Sequence, residues 1–417
     1  MGRHNQSERR LVTRIEDNAD DLMGPVLPAH LYVHVPFCSS KCAYCDFASE
    51  SGASDETVSA VFQGIRSQLR RWSEPGPGGV VETIYVGGGT PSLYPKEVAG
   101  ILEQARRLFT VRDGAEVTVE ANPDSLTRDA VGILSEAGAS RVSVGVQSFD
   151  DGVLRVLGRR HDAAAAASAC RTVLEAGLEL SIDLICGVPG QGMTSWAETL
   201  ARAASSGARH VSVYPLSLED GTPLQVAVDT GLVSQPDADE AADMMLLAEE
   251  TLGRAGLMRY EVASYATDRE HESRHNTAYW TRCSYIGVGP GAHGMLDAAT
   301  ARVLGLVGPS DEDTARVRYS NSRDIEDWLL GRGDQSEMLT SDEVVREDVM
   351  LGMRLVRGVA WSTVQSAGLT EVLESLAADG LVELVSDGVS RPGPNWRTTQ
   401  RGWLLGNRVF SRIWNGA

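Results

Sequence analysis

Three cysteines fall within eight residues, Cys38, Cys42 and Cys45, in the pattern C-x3-C-x2-C. Thiolates are soft ligands, and iron–sulfur clusters are held by them. A cluster of four irons bound through three cysteines keeps one iron open to a further ligand. Zinc completed by His34, or thiols that are merely buried, is the plainer competing reading. Zinc loops usually bring two separated ligand pairs, and no second pair accompanies this loop. The other cysteines, Cys170, Cys186 and Cys283, stand alone and read as buried and inert.

Other chemically equipped residues recur just after short β-branched runs. Such runs are Leu31–Val35, Thr83–Val86, Glu116–Glu120, Arg141–Val146, Glu179–Ile185 and His210–Tyr214. The first ends in the cysteine loop and the second in Gly87-Gly88-Gly89-Thr90-Pro91. The third ends in Glu120-Ala121-Asn122-Pro123 and the fourth in Gly145-Val146-Gln147-Ser148-Phe149. The fifth carries Asp183 and ends in Cys186-Gly187-Val188-Pro189. Taken singly, a glycine run is more often a turn and a carboxylate more often a cap. Taken together, they place glycine backbone, an amide and carboxylates beside the cysteines, a set suited to a zwitterionic, nucleoside-containing ligand.

The elements that must position these residues alternate. Amphipathic stretches at Glu56–Trp72, Pro95–Phe109, Thr127–Ala137, Asp162–Ala176 and Thr194–Ser206 have helical spacing and separate the runs. Six βα units in series predict a parallel sheet wrapped by helices, with ligands at the carboxyl ends of the strands. Periodicity leaves open whether that sheet curls or stays flat. Further on, Pro236–Gly253 reads as an acidic helix with a buried methionine side, and Tyr260–Tyr265 as a strand. Gly287–Gly294 reads as a tight loop against the sheet, without the lysine of a phosphate cradle. His271–Trp280 is dense in polar and aromatic groups. Four segments are expected: a mobile tail over 1–28, a core over 29–296, an irregular polar linker over 297–322 and a mostly helical, winged-helix-like domain over 323–417.

Composition narrows the classes. With 38 basic and 57 acidic residues the net charge is −19, and no basic recognition face supports the winged helix as a DNA reader. No apolar run approaches the roughly 18–20 residues of a membrane span. The first 28 residues lack the apolar stretch of a signal peptide, and Gln6 stands where a myristoylation site needs Ser or Thr. A cytoplasmic chain with reduced cysteines is expected, with at most peripheral membrane contact.

Once assembled, these residues resemble the radical-SAM superfamily, within it the oxygen-independent coproporphyrinogen III oxidase group. The likeness is carried by Cys38, Cys42, Tyr44 and Cys45, and extends through Tyr32–Phe37, Gly87–Ser92, Glu120–Pro123, Gly145–Phe149, Asp183–Pro189 and Thr399–Asn407. It implies a partial (β/α)6 barrel. It also implies that Cys38, Cys42 and Cys45 hold a [4Fe-4S] cluster whose fourth iron is chelated by S-adenosylmethionine (SAM). Tyr32, Gly88, Gly89, Thr90, Glu120, Gln147, Arg159 and Asp183 match the positions that line the SAM pocket.

Two features set the branch. The oxidases carry another cysteine two residues after the third, where this chain has Phe47, and their region before the first strand is longer. His275-Asn276-Thr277-Ala278-Tyr279-Trp280 matches the His-Asn-x-x-Tyr-Trp motif of the haem-chaperone branch, HemW. That resemblance implies haem as cargo, client haemoproteins such as respiratory enzymes, and an electron donor for the cluster. Oxidase activity is not expected, and SAM cleavage stays open. His275 is then a candidate iron ligand with Tyr279 and Trp280 against the porphyrin. From spacing alone, the same residues simply close the floor of the barrel.

Overall fold

The computed structural model describes residues 28–74, 79–308, 311, 313–386 and 393–416. Apart from Pro28, the expected tail lies outside these residues. The turn that Ser386-Asp387-Gly388 and Pro392-Gly393-Pro394 predict lies mostly outside them as well.

All six anticipated strands form: β1 (His30–Val35), β2 (Val80–Gly88), β3 (Thr110–Ala121), β4 (Arg141–Gln147), β5 (Glu179–Cys186) and β6 (His210–Pro215). They lie side by side in chain order, every neighbour parallel. The Tyr260 region contributes β7 (Met258–Arg259) and β8 (Ser264–Ala266), antiparallel beyond β6. On the other side, β9 (Tyr285–Val288) runs parallel to β1, followed by β10 (His293–Asp297), β11 (Thr314–Ser320) and β12 (Gln335–Thr340) in antiparallel order. Sheet order is β12-β11-β10-β9-β1-β2-β3-β4-β5-β6-β8-β7.

Two expectations are corrected here. The stretch 297–322 is no irregular linker: it holds the helix Ala298–Val303 and the whole of β11, which is hydrogen-bonded on both edges. The sheet runs on to Thr340, past the expected boundary at 323. The glycine run 287–294 is likewise the junction of β9 and β10. There is no room for a side chain at Gly287, whose Cβ would fall on the His293 carbonyl.

Between the strands lie α1 (Asp55–Ser73), α2 (Pro95–Leu108), α3 (Arg128–Glu136), α4 (Asp151–Val156), α5 (Ala163–Glu175) and α6 (Met193–Ala204). Five of the six start where the chain offers a side-chain cap or a proline: Ser54, Thr127, Asp150 and Asp162 accept N–H groups of the first turn, and Pro95 opens α2, while α6 starts after Gly192 without a side-chain cap. Two further helices follow β6, α7 (Pro223–Asp229) and α8 (Ala238–Arg254), and a short one, α9 (Arg274–Trp280), precedes β9.

The strands have two unlike faces. One carries Val33, Ile84, Val119, Val144, Ile182 and Val211, all buried in two apolar clusters against the helices. Fully burying such side chains is worth about 1.5–3 kcal/mol each. The other face presents polar groups at every second residue: Tyr32, Tyr85, Glu120, Ser143, Asp183 and Ser212. This polar face is the concave one, and its floor is closed by α9. There Arg141 pairs with Glu116 at 3.2 Å and Glu179 at 2.7 Å, while Glu116 accepts the N–H groups of Arg274 and His275.

The C-terminal region is mostly helical, as expected, with Ser341–Gly352, Trp361–Ser366, Thr370–Ala378, Gln400–Leu404 and Gly406–Asn415. A three-stranded antiparallel sheet of Val359–Ala360, Val382–Val385 and Asn395–Thr398 completes it.

Candidate cluster and cofactor site

Cys38, Cys42 and Cys45 sit in the loop leaving β1, at the carboxyl end of the parallel strands. The loop is anchored from both sides by backbone: Ala43 N–H donates to Leu157 O at 3.0 Å and Leu224 N–H to Ala43 O at 2.8 Å. Tyr44 packs into a small apolar cluster with Val153, Leu157, Ile185 and Val188, which pins the turn between the second and third thiols. Glycine is required opposite it, since a Cβ on Gly89 would lie 2.6 Å from the Phe37 carbonyl oxygen.

All three thiols open onto one cavity of about 570 Å3, within the ordinary range for small-molecule sites. The same cavity is lined by Gly89, Glu120, Gln147, Arg159 and Asp183. Arg159 is the hinge of the polar wall: it donates to Cys42 Sγ at 3.3 Å, to Asn122 Oδ1 at 2.5 Å and to Gly145 O at 2.7 Å. Gln147 takes φ +63° where the β4–β5 register shifts, a left-handed conformation costing about 1–2 kcal/mol. Gly88 and Thr90 do not line the cavity. Gly88 N–H donates to Glu120, and the Thr90 hydroxyl accepts from Asn122 at 2.9 Å and reaches Cys38 Sγ at 3.5 Å. Tyr32 faces a neighbouring cavity instead.

Two half-buried carboxyl groups open onto this cavity, with no basic partner in contact among the described residues. Glu120 accepts from Tyr85 Oη at 2.7 Å and Gly88 N–H at 3.0 Å, yet burial still raises its pKa. Asp183 accepts from Ser143 Oγ at 3.0 Å, and burial, with the Glu120 charge added, pushes it up to about 7. Such a pair favours a cationic ligand, which would restore both carboxylates. Tyr85, Ser143, Asn122 and Tyr214 also belong to this wall. Reading every second residue back from Gly87 and Gly145 would have found the first two.

The chemistry of the donor set fits a cluster. Among the described residues lining the cavity there is no fourth cysteine and no histidine, so three thiols leave one metal position free. His34, the residue that would complete a zinc site, is buried, with Nδ1 at 3.0 Å from Tyr32 Oη and Nε2 at 2.8 Å from Ala48 O.

The haem candidates lie elsewhere. His275 is 1% exposed; Nδ1 meets Thr83 Oγ1 at 2.7 Å and Nε2 meets Tyr279 Oη at 2.8 Å. Its ring stacks on Tyr85 at 5.1 Å, and burial lowers its pKa to about 3. Tyr279 and Trp280 reach the cavity that holds Tyr32. Cys283 lines that cavity too and is only half-buried. This corrects the expectation of a buried thiol, which Cys170 and Cys186 do meet.

A parallel sheet curled around a polar face, with three thiols at its carboxyl end, defines a radical-SAM protein. The sequence matches the radical SAM superfamily over residues 32–203 and the HemN C-terminal domain over residues 339–405. It is 31% identical to a protein of Bacillus subtilis named heme chaperone HemW, across 91% of this chain and 97% of that one. The HemW of Mycobacterium tuberculosis is 33% identical over 93% and 95%. A mouse protein, radical S-adenosyl methionine domain-containing protein 1, mitochondrial, is 34% identical over 85% and 82%. In structure the chain is similar to HemN of Escherichia coli, titled coproporphyrinogen III oxidase, with a TM-score of 0.74, 21% identity and coverage of 93% and 90%. The chain belongs to the HemW family.

Proposed function

We propose that this protein is a haem chaperone that binds haem and hands it to client haemoproteins, on a scaffold carrying a [4Fe-4S] cluster and SAM. The observation that carries this reading is near-full-length identity above 30% to relatives named heme chaperones. A second supports it: Phe47, at the position of the oxidases' further cysteine, is 68% exposed and lies on the walls of both cavities.

Cys38, Cys42 and Cys45 would hold the cluster, which when bound supplies one-electron chemistry to SAM. Glu120 and Asp183 would accept from the ammonium or ribose hydroxyls, and Gln147 would offer its amide. Arg159 would meet a carboxylate. An electron donor and clients such as respiratory enzymes are implied, and the site of action would be cytoplasmic. Among the described residues no helix is long and apolar enough to cross a membrane.

Anaerobic reconstitution followed by haem titration tests this. One haem bound per chain, released to an apo-haemoprotein acceptor, is expected, and an absence of uptake overturns it. The same preparation with SAM and reductant is expected to leave coproporphyrinogen III unchanged. Formation of protoporphyrinogen would favour the oxidase reading.

A further inference from the structure

The second cavity, of about 490 Å3, lies between the β9–β11 edge of the sheet and the helix Ser341–Gly352. Its composition is unlike the rest of this acidic chain. Tyr279, Trp280, Tyr285 and Phe47 give it aromatic walls. Four guanidinium groups, those of Arg282, Arg316, Arg318 and Arg323, line it against a single lining carboxylate, Glu347. Each arginine already has an acidic neighbour: Asp348 takes both Arg282 and Arg316, Arg318 pairs with Glu337 at 2.7 Å and with Glu347, and Arg323 lies 3.5 Å from the Asp46 carboxylate. Each guanidinium keeps further N–H donors for a carboxylate arriving from the cavity.

One imidazole also opens here. His293 is exposed on β10, and no hydrogen bond engages its ring among the described residues. Partial desolvation at the cavity wall first, then the charges of Arg318 and Arg323, lower its pKa, which favours the neutral form that binds metal. His275 differs on every count: both ring nitrogens are taken, and its bond to Tyr279 Oη fixes a wall of the cavity from behind.

We infer that this cavity is the binding site for the planar, carboxylate-bearing tetrapyrrole, with His293 as the iron ligand and the arginines as the carboxylate clamp. The inference rests on the haem-chaperone reading and adds the place of binding. His275 is a positioning residue that holds Tyr279. Phe47 stands between this site and the cluster cavity, so the two lie side by side across one aromatic wall.

The test titrates haem, and separately iron-free protoporphyrin IX, into full-length, cluster-loaded protein and its variants. Intact cluster absorbance and an unchanged melting temperature certify that each variant folds. His293→Ala is expected to lose the histidine-ligated haem spectrum while still binding protoporphyrin IX. Arg318→Gln is expected to weaken both ligands about tenfold or more, the scale of one charge-assisted hydrogen bond, with partial recovery in Arg318→Lys. Cys170→Ser, at a buried thiol in the apolar cluster of β4–β6, is expected to keep the wild-type spectrum. His275→Ala is expected to keep the histidine-ligated spectrum at reduced affinity, because it releases Tyr279. If wild-type protein binds haem and both His293→Ala and Arg318→Gln match it in affinity and spectrum, the site is wrong and the chaperone reading stands. Loss of the spectrum in His275→Ala but not His293→Ala also overturns the ligand assignment. If the wild-type chain takes up no haem, both readings fail.

Discussion

At the level of single residues, the carboxyls of Glu120 and Asp183 decide how the cluster cavity responds to pH. Asp183 has its pKa pushed up to about 7, so in the empty folded protein it holds a proton that the unfolded chain releases near pH 4. The folded state therefore binds more protons between those values, and its stability falls as pH rises from about 4 to about 7. A ligand bearing positive charge reverses the preference. SAM affinity is expected to climb as pH is raised from 6 to 8, by up to about tenfold per unit below the pKa. In Asp183→Asn that climb should flatten; equilibrium binding across the range checks it, and an unchanged slope would place the titration elsewhere. The thiols make a separate expectation. Cys38, Cys42 and Cys45 are only partly buried and lie outside the apolar clusters. Cys42→Ser should abolish iron binding, read by iron and sulfide content, while the apo-protein's melting temperature stays within a few degrees.

Among the elements, the most consequential junction is α9 against the floor of the sheet. Glu116 serves three partners there, the Arg141 guanidinium and the first two N–H groups of α9. Arg141 is 3% exposed, so removing one partner leaves a buried charge poorly compensated. Glu116→Ala is expected to cost about 3–5 kcal/mol in urea unfolding. Haem uptake should drop with it, because Tyr279 rides on the same helix. The six βα units were readable from sequence because their apolar face repeats every second residue and their helices carry their own caps. Polar interior positions such as Tyr85 and Ser143 were equally periodic but masked by the strong signal of the apolar face. β11 was misread for a physical reason. Thr314-Ala315-Arg316-Val317-Arg318-Tyr319-Ser320 does alternate, but its arginines look solvated until Glu337, Glu347 and Asp348 are folded against them. The cluster loop was legible because its ligands are local. The depth of His275 was not, because Thr83 and Glu116, which enclose it, are far away in sequence.

At the scale of the whole molecule, the question is whether the C-terminal unit is an appendage or part of the site. It has an apolar cluster of its own, including Val349, Leu373, Leu376 and Val409. It is nonetheless tied to the rest of the molecule at several places, among them a backbone bond from Val356 N–H to Tyr260 O at 3.0 Å. Asp348 and Glu347 reach Arg282, Arg316 and Arg318 beside the second cavity. The Arg354 guanidinium lies 5.1 Å from the Trp280 ring and 4.4 Å from Phe410, joining α9 to the last helix. Trp403 buries itself in the apolar cluster of β4–β6, donates to Val262 O at 2.8 Å and carries Arg259 at 4.0 Å over its ring. Trp403→Ala removes the largest of these ties, at about 3–5 kcal/mol. Because the unit's own cluster is untouched, the loss should appear as uncoupling rather than collapse. Guanidinium unfolding of the wild type is expected to be one transition, with circular dichroism and tryptophan fluorescence superimposing; in the variant the two probes should separate. Haem affinity should fall in parallel, since one wall of its cavity, Glu347 and Leu351, belongs to the released unit. SAM binding and cluster content should hold, because every residue lining that cavity precedes position 220. A variant that unfolds in one step with haem affinity intact would mean that the C-terminal unit is not what closes the tetrapyrrole site.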